Sequence, residues 1–331
     1  METLRLETDQ DSIEKAGEII REGGLIAFPT ETVYGLGANA YDARAVKSVY
    51  SAKGRPGDNP MIVHIAHFDQ LEDVVSGVPD IGRQLIEVFW PGPLTLIMKK
   101  NQQIPNVTTG GLNTVGVRMP SNRTASAFLH SCRVPVAAPS ANLSGKPSPT
   151  TWEDVLEDMD GRINGVIMGE PCDVGIESTV IDVTGEHPVI LRPGFITAEM
   201  ITRSLGLEVT YDPALFQDPA EKGDFHPKAP GMKYKHYAPK AQVQIVEGDE
   251  EKALAMIASL SSQAQDLGKK TALIDYGRDS RAAAKDFFSR LRELDRENVD
   301  IIYVYALPEK ELGFSVMNRM LKSAGYNVIH V

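Results

Sequence analysis

The chain has 331 residues, 42% hydrophobic and 24% charged, with 34 Lys+Arg against 45 Asp+Glu and a formal net charge of -11. That length suits one large and one small domain, and the composition is that of a soluble globular protein with a real core. The acidic balance excludes a protein whose whole surface grips nucleic acid, so any anion must be met locally. No apolar run approaches the ~20 residues of a membrane span, and the acidic, polar start METLRLETDQDSIEKAGEII reads as neither signal nor transit peptide. Cys132 and Cys172 are the only cysteines. They stand far apart, which fits a reducing compartment and argues against a cysteine-built metal site. The expectation is a cytoplasmic protein with no membrane attachment.

Helical spacing runs over 12–21 and stops at Gly23 and Gly24, and LIAF (25–28) reads as a short buried strand. A helix is expected over 44–52, a strand over 61–65, a helix over 81–89 that PGP breaks after Trp90, and a strand at LTLIMKK. Further strands are expected at 114–119, 134–138, 165–168, 178–183 and 188–192, bounded by Gly, Pro, Asn and Ser. Thr197 can cap a closing helix, AEMITRSLG. Strands and helices do not alternate regularly here, which favours a curved, mixed α/β sheet with flanking helices over a doubly wound one.

From 212 to 240 the texture changes. Pro213, Pro219, Pro227, Pro230 and Pro239 punctuate a stretch without apolar period, a proline-stiffened linker. It is far longer than the roughly 4–6 residues of an ordinary connection. Its end, MKYKHYAP, is aromatic and basic. Beyond it the pattern is βαβαβαβ, a small Rossmann-like parallel sheet with covering helices. The expected domains are 1–211, a linker or lid at 212–240, and 241–331.

The stretch SAKGRPGDNPMIVHI sets Lys53 and Arg55 on a Gly/Pro turn that runs into a strand, with Asn59 adding an amide. A guanidinium fork and an ammonium both suit phosphate oxygens, although a solvated basic loop accounts for the pair equally well. TETVYGLGANA carries Gly35, Gly37 and Ala40 in a formal G-x-G-x-x-A. Polar residues separate those glycines from the preceding strand, and no acid ends the next one, so a dinucleotide fingerprint is excluded. A hydroxyl-lined turn beside a substrate, or a tight structural turn, remains.

APSANLSGKPSPT offers Ser140, Asn142, Ser144, Ser148 and Thr150 with Lys146, but it is no nucleophile elbow. Arg118 and Arg192 lie near the ends of apolar strands and need anions, from the protein or from a ligand. His64 and His67 have metal-like spacing, but a strand would point them to opposite faces. Cations and hydroxyls at successive strand ends converge on one cleft. The residues point to an enzyme that binds phosphate or carboxylate without a nucleophilic side chain, as in phosphoryl or nucleotidyl transfer.

In order and spacing, PTETVYGLGANA, K-x-R, NPMIVHI, FWPGPLTLI, VGVRMP, APSANLSGKPSPT, ESTVIDV and LRPG resemble the YrdC-like domain. The linker APGMKYKHYAP and the trailing α/β unit resemble the long, two-domain form of the threonylcarbamoyl-AMP synthase family. The resemblance implies that L-threonine, bicarbonate or CO₂, and ATP give threonylcarbamoyl-AMP and pyrophosphate. A separate transferase then uses the product to modify the adenosine beside the anticodon of ANN-decoding tRNAs. It implies catalytic roles for Lys53, Arg55, Ser140 and Asn142, and ATP contacts from Arg55, Asn59, Thr114, Ser140, Ser148, Arg192, Tyr234 and Tyr237. It implies threonine contacts from Thr32, His64, Arg118, Ala138 and Ser178. Mg²⁺ is expected through the ATP phosphates rather than a protein cage, tRNA contact only indirectly or weakly, and the protein as a monomer or homodimer. Competing expectations are an RNA-binding module or a nucleotide sensor without threonine-dependent turnover. A hydrogenase-maturation relative is excluded because two isolated cysteines cannot build its zinc finger.

Overall fold

A computed structural model describes residues 2–216, 229–230 and 236–331. Its chain separates into two compact units, Met1–Ser144 with Ser148–Lys233, and Gly145–Pro147 with Tyr234–Val331. The first contains β1 (Leu4–Leu6), β2 (Ile26–Phe28), β3 (Gly35–Asn39), β4 (Ile62–His64), β5 (Leu94–Lys99), β6 (Thr114–Arg118), β7 (Val136–Ala138), β8 (Gly165–Ile167), β9 (Thr179–Asp182), β10 (Val189–Arg192) and β11 (Thr210–Tyr211). They form one mixed sheet in the order β1-β8-β2-β3-β7-β4-β6-β5-β9-β10-β11. Its helices are α1 (Gln10–Arg21), α2 (Ala43–Lys53), α3 (Leu71–Val74), α4 (Asp80–Phe89), α5 (Arg123–Cys132), α6 (Trp152–Met159) and α7 (Ala198–Leu205).

Local chemistry sets where these elements stop. The Asp42 side chain accepts from the Arg44 N–H to start α2, and Gly54, left-handed at φ 61°, ends it. That cap fixes Lys53 in the last helical turn and releases Arg55 into the turn beyond. Gly35 and Gly37 lie in a strand, β3, antiparallel to β2, where a turn was expected. The turn is confined to the residues before it. A Cβ at Gly37 would sit 2.7 Å from Val136 Cγ1, so only glycine lets β3 pass its neighbours here.

Three helices of this unit went unread in the sequence, the single turn α3 and the longer α5 and α6. The buried residues of α5, Ala125, Phe128, Leu129 and Cys132, form an apolar stripe, but Thr, Ser and His between them obscure it. The acid-rich α6 buries Val155 and Met159 and little else apolar.

The main core packs α2, α4 and α7 residues such as Val46, Val49, Leu85 and Ile201 with the sheet residues Leu36, Val63, Leu96 and Val117. A second cluster joins Ile13, Ile20, Phe28, Phe128 and Val136, with the Phe28 and Phe128 rings 4.9 Å apart.

The second unit holds β12 (Gln242–Glu247), α8 (Glu250–Asp266), β13 (Thr271–Ile274), α9 (Ser280–Arg296), β14 (Ile301–Tyr305), α10 (Leu312–Ser323) and β15 (Val328–His330). Its four strands are parallel in the order β13-β14-β12-β15. The alternation legible in the sequence is the alternation found. Within this unit the buried Arg292 guanidinium donates to the Pro147 carbonyl from Nε (3.2 Å) and Nη2 (2.7 Å). The Ala238 N–H donates to the Gly145 carbonyl at 2.8 Å. Among the described residues no helix is long and apolar enough to cross a membrane.

Truncating a fully buried ring leaves a cavity that the surrounding strands cannot close. Phe128→Ala is expected to cost about 3–5 kcal/mol. In a urea titration the midpoint should fall while the slope against denaturant stays the same.

Candidate active site

The basic turn divides into two different jobs. Lys53 is 2% exposed, and its ammonium donates to the Ser140 carbonyl at 2.5 Å and to the Asn142 carbonyl. A buried ammonium needs oxygens around it, and here it takes them from the backbone of the hydroxyl-rich loop. The Ser144 N–H returns to the Lys53 carbonyl at 2.9 Å, so helix end and loop are tied in both directions. Arg55, partly exposed, donates from Nη2 to the Pro60 carbonyl at 2.9 Å. Asn59 is 2% exposed, and its Oδ1 has no hydrogen-bond partner among the described residues.

Beyond Ala138, the last residue of β7, Ser140 bridges to Gly35 at the start of β3. Its hydroxyl donates to Asn142 Oδ1 at 2.6 Å. The Ala141 N–H donates to the Tyr34 carbonyl at 2.8 Å, which seats the S-x-N element on the turn before β3. Further on, the Ser148 hydroxyl donates to Glu177 Oε1 at 2.6 Å, both residues being buried.

Arg118 ends β6 and pairs in register with His64, the end of β4. It is 4% exposed. Its Nη1 donates to Thr32 Oγ1 at 2.9 Å, its Nε points at the Gly92 carbonyl at 3.3 Å, and its Nη2 lies 2.8 Å from Glu31 Oε1. That last approach is off the N–H direction. It leaves Nη2 and both Glu31 oxygens without a directed hydrogen bond among the described residues. Burial first, and the Arg118 charge second, push the His64 imidazole down to about 3, so the ring is neutral. Its Nδ1 also lacks a partner among the described residues.

Farther across the sheet, Arg192 at the end of β10 donates to the Ser178 carbonyl (3.1 Å) and hydroxyl (3.2 Å). The Ser178 and Thr95 hydroxyls share a hydrogen at 2.8 Å. The Gly175 N–H donates to the Thr32 carbonyl at 3.1 Å, linking the segment before Ser178 to the Arg118 group. The expected residues therefore fall into bonded groups: Lys53, Ser140 and Asn142; Thr32 with Arg118, the latter in register with His64; and Ser178 with Arg192. Thr114 opens β6 on the same strand as Arg118, roughly 13 Å away by strand rise.

Tyr237 belongs to the second unit, where it packs on Phe288 with ring centroids 4.9 Å apart. Tyr234 lies outside the described residues, as do 217–228 of the expected lid. His67 faces His130 across 5.7 Å, and among the described residues no group of three or more His, Cys, Asp or Glu could hold a metal ion.

Sequence reasoning passed over Glu31, Thr95 and Glu177. Glu31 was visible as an acid inside a hydroxyl turn beside an apolar strand. Thr95 and Glu177 gave no signal of their own.

The family model described as "Telomere recombination", of the Sua5/YciO/YrdC family, matches residues 18–194. This chain belongs to the Sua5/YciO/YrdC family. A second model, described as "Threonylcarbamoyl-AMP synthase, C-terminal domain", matches residues 196–325. The chain is 45% identical to the threonylcarbamoyl-AMP synthase of Pyrococcus abyssi, over 99% of this chain and 98% of that one. It is 44% identical to that of Bacillus subtilis, over 99% and 97%. Among solved structures, P. abyssi Sua5 complexed with L-threonine superposes with a TM-score of 0.95 at 45% identity, covering 99% of this chain and all of that one. The family member YciO of Escherichia coli covers 59% of this chain and 96% of its own at 26% identity, with a TM-score of 0.52.

The neutral His64 makes stability depend on pH. An unfolded chain binds a proton near pH 6.5, while the folded protein resists it down to about 3. Stability should therefore fall as pH drops through that window, by about 1.4 kcal/mol per unit. Urea unfolding at pH 7 and pH 5 should show His64→Gln losing about 2 kcal/mol less than the native chain. Equal losses would place the titration elsewhere.

Proposed function

We propose that this protein makes threonylcarbamoyl-AMP and pyrophosphate from L-threonine, bicarbonate or CO₂, and ATP. The observation that carries the reading is the likeness over essentially the whole chain to P. abyssi Sua5, solved with L-threonine, combined with a buried arginine able to take a carboxylate. Arg118 pairs the amino-acid carboxylate, within a shell made by Thr32, His64, Ala138 and Ser178. The α-ammonium first loses a proton to solvent. The free amine then attacks the carbon of CO₂, one C=O π pair passing to oxygen and the N–H proton to solvent, to give a carbamate; with bicarbonate the C–OH bond breaks and water leaves. A carbamate oxygen then forms a bond to the α-phosphorus of ATP, the α–β bridging P–O bond breaks, and pyrophosphate leaves with the electron pair.

No protein nucleophile enters this scheme. Both cysteines are buried, and burial pushes the Cys172 thiol up to about 12. The work left to the chain is positioning and charge. ATP enters as its Mg²⁺ complex, the ion carried on phosphate oxygens and water. Arg55 and Asn59 meet the phosphates, with Thr114, Ser140, Ser148 and Arg192 completing the nucleotide contacts. Lys53 shapes the Ser140–Asn142 loop through its carbonyls, so its catalytic role is to hold that loop.

The linker serves as a lid that keeps water from the adenylate. Its support is local: Ala229 is buried in a cluster with Ile97, Val180 and Leu191, and the Pro230 carbonyl lies 3.5 Å from Arg192 Nη1. Tyr234 and Tyr237 are the lid side chains assigned to the nucleotide. The product passes to a threonylcarbamoyl transferase acting on tRNA in the cytoplasm.

The test is pyrophosphate release by the purified chain. Release should require threonine and bicarbonate together, and Arg55→Ala should lower it by roughly 100-fold or more, the scale of losing one preorganised donor to developing charge, with the fold intact. Release indifferent to threonine would end the reading.

A further inference from the structure

Glu31 is a carboxylate in an unusual position. It is 6% exposed, and neither of its oxygens accepts a hydrogen bond from any described residue. Its backbone is fixed, because its carbonyl accepts from the Val174 N–H at 2.8 Å. Native proteins seldom leave buried carboxylate oxygens unfilled, since each forgoes its water without replacement. The Arg118 guanidinium offsets the charge at 2.8 Å but gives no directed bond, so acceptor capacity is left over beside the group that takes the substrate carboxylate.

We propose that Glu31 receives the α-ammonium of the amino-acid substrate, and so selects an amino acid over the corresponding hydroxy acid. The inference rests on the reading of Arg118 given above. An α-amino acid carries its ammonium and carboxylate on one carbon. A substrate whose carboxylate meets the unfilled Arg118 Nη2 therefore brings its ammonium alongside the acceptor that flanks Nη2. Charge agrees with geometry. The Glu31–Arg118 pair is neutral overall, and so is the zwitterion, and binding gives each buried charge an additional opposite partner.

A hydroxy acid of the same shape would bring its carboxylate to Arg118 and no cation to Glu31. It would set two carboxylates against one guanidinium in a desolvated site. His64 does not complicate this balance, because the ring is neutral. The Thr32 hydroxyl is engaged with Thr30 and Arg118, so among the side chains of this turn Glu31 is the one with charge to offer an ammonium.

The experiment is calorimetric binding to the full chain with two ligands, L-threonine and 2,3-dihydroxybutyrate, in which a hydroxyl replaces the α-amine. The native protein should prefer threonine by on the order of 100-fold or more, as sites built around a polar group do. Glu31→Gln keeps the volume and removes the charge. It should weaken threonine by about 10–100-fold, the range for a hydrogen bond to a charged group, leave ATP within about threefold, and leave dihydroxybutyrate unweakened or tighter, because one of the two opposed carboxylates is gone. Equal weakening of both acids would overturn the inference, for Glu31 would then act only by placing Arg118.

Glu31→Asp retains the charge on a shorter arm and guards against a variant that fails to fold. It should bind threonine with an intermediate loss and keep the preference over dihydroxybutyrate, and a lost preference would equally overturn the proposal. A native chain that binds no threonine would remove the Arg118 assignment and this inference together, an outcome distinct from a failure in the variants alone.

Discussion

Arg118 sits at the end of a sheet strand with 4% of its surface exposed, and much of the surrounding structure answers to that charge. A desolvated guanidinium is tolerated only where acceptors surround it. Here the Thr32 hydroxyl and the Gly92 carbonyl accept from it and the Glu31 carboxylate offsets its charge, the first and third from one turn and the second from a distant segment. To deliver the first and third, the chain must turn sharply between β2 and β3. Thr30 closes that turn, accepting from the Thr32 and Val33 N–H groups and donating to the Val33 carbonyl at 2.7 Å. The His64 ring, opposite Arg118 in register, is held neutral partly by the same charge. A cation at that strand end thus anchors one loop and adds to the burial that keeps one histidine neutral.

The paired cations of the basic turn show how spacing and role come apart. Lys53 and Arg55 look equivalent as letters, two residues apart with glycine between. In the fold Gly54 caps the helix at positive φ, so one cation belongs to a helix end and the other to a loop. Lys53 faces backbone carbonyls and fixes the Ser140–Asn142 loop. Arg55 is partly exposed and donates to the Pro60 carbonyl of its own turn. Sequence spacing marks such a pair without telling the buried, loop-holding member from the partly exposed one, because the distinction is made by a cap.

What could be read from the sequence followed from strong local signals. The strands bearing His64, Arg118 and Arg192 are rich in Val and Ile, and the C-terminal alternation is regular, so both are legible in the sequence. Strand β3 was missed because Gly-Leu-Gly-Ala-Asn carries no β-branched residue. Its glycines are there for close passage of Phe28 and Val136, a tertiary demand with no local signature. Helix α5 was missed because small polar residues interrupt its stripe. Glu31 was in plain view, yet an acid in a hydroxyl turn acquires meaning only when a strand distant in sequence sets a guanidinium 2.8 Å away.

Apart from the partly exposed Arg55, the charged groups described above are almost wholly withdrawn from water: Lys53 at 2%, Arg118 at 4%, Arg192 at 5%, Glu31 at 6% and Glu177 at 7% exposed. Each costs desolvation free energy, and in a protein that gains nothing from the arrangement apolar residues would serve stability as well or better. What burial provides is an environment where dipoles and charges are already oriented and their fields are weakly screened. That suits a reaction in which both bond-forming steps use substrate atoms and the protein contributes orientation and charge. Deeply buried thiols and a neutral imidazole would be poor choices if the chemistry needed a side-chain nucleophile or a cationic acid. They are compatible with a cleft whose reactive atoms all arrive with the ligands, and whose own side chains were folded in advance to receive them.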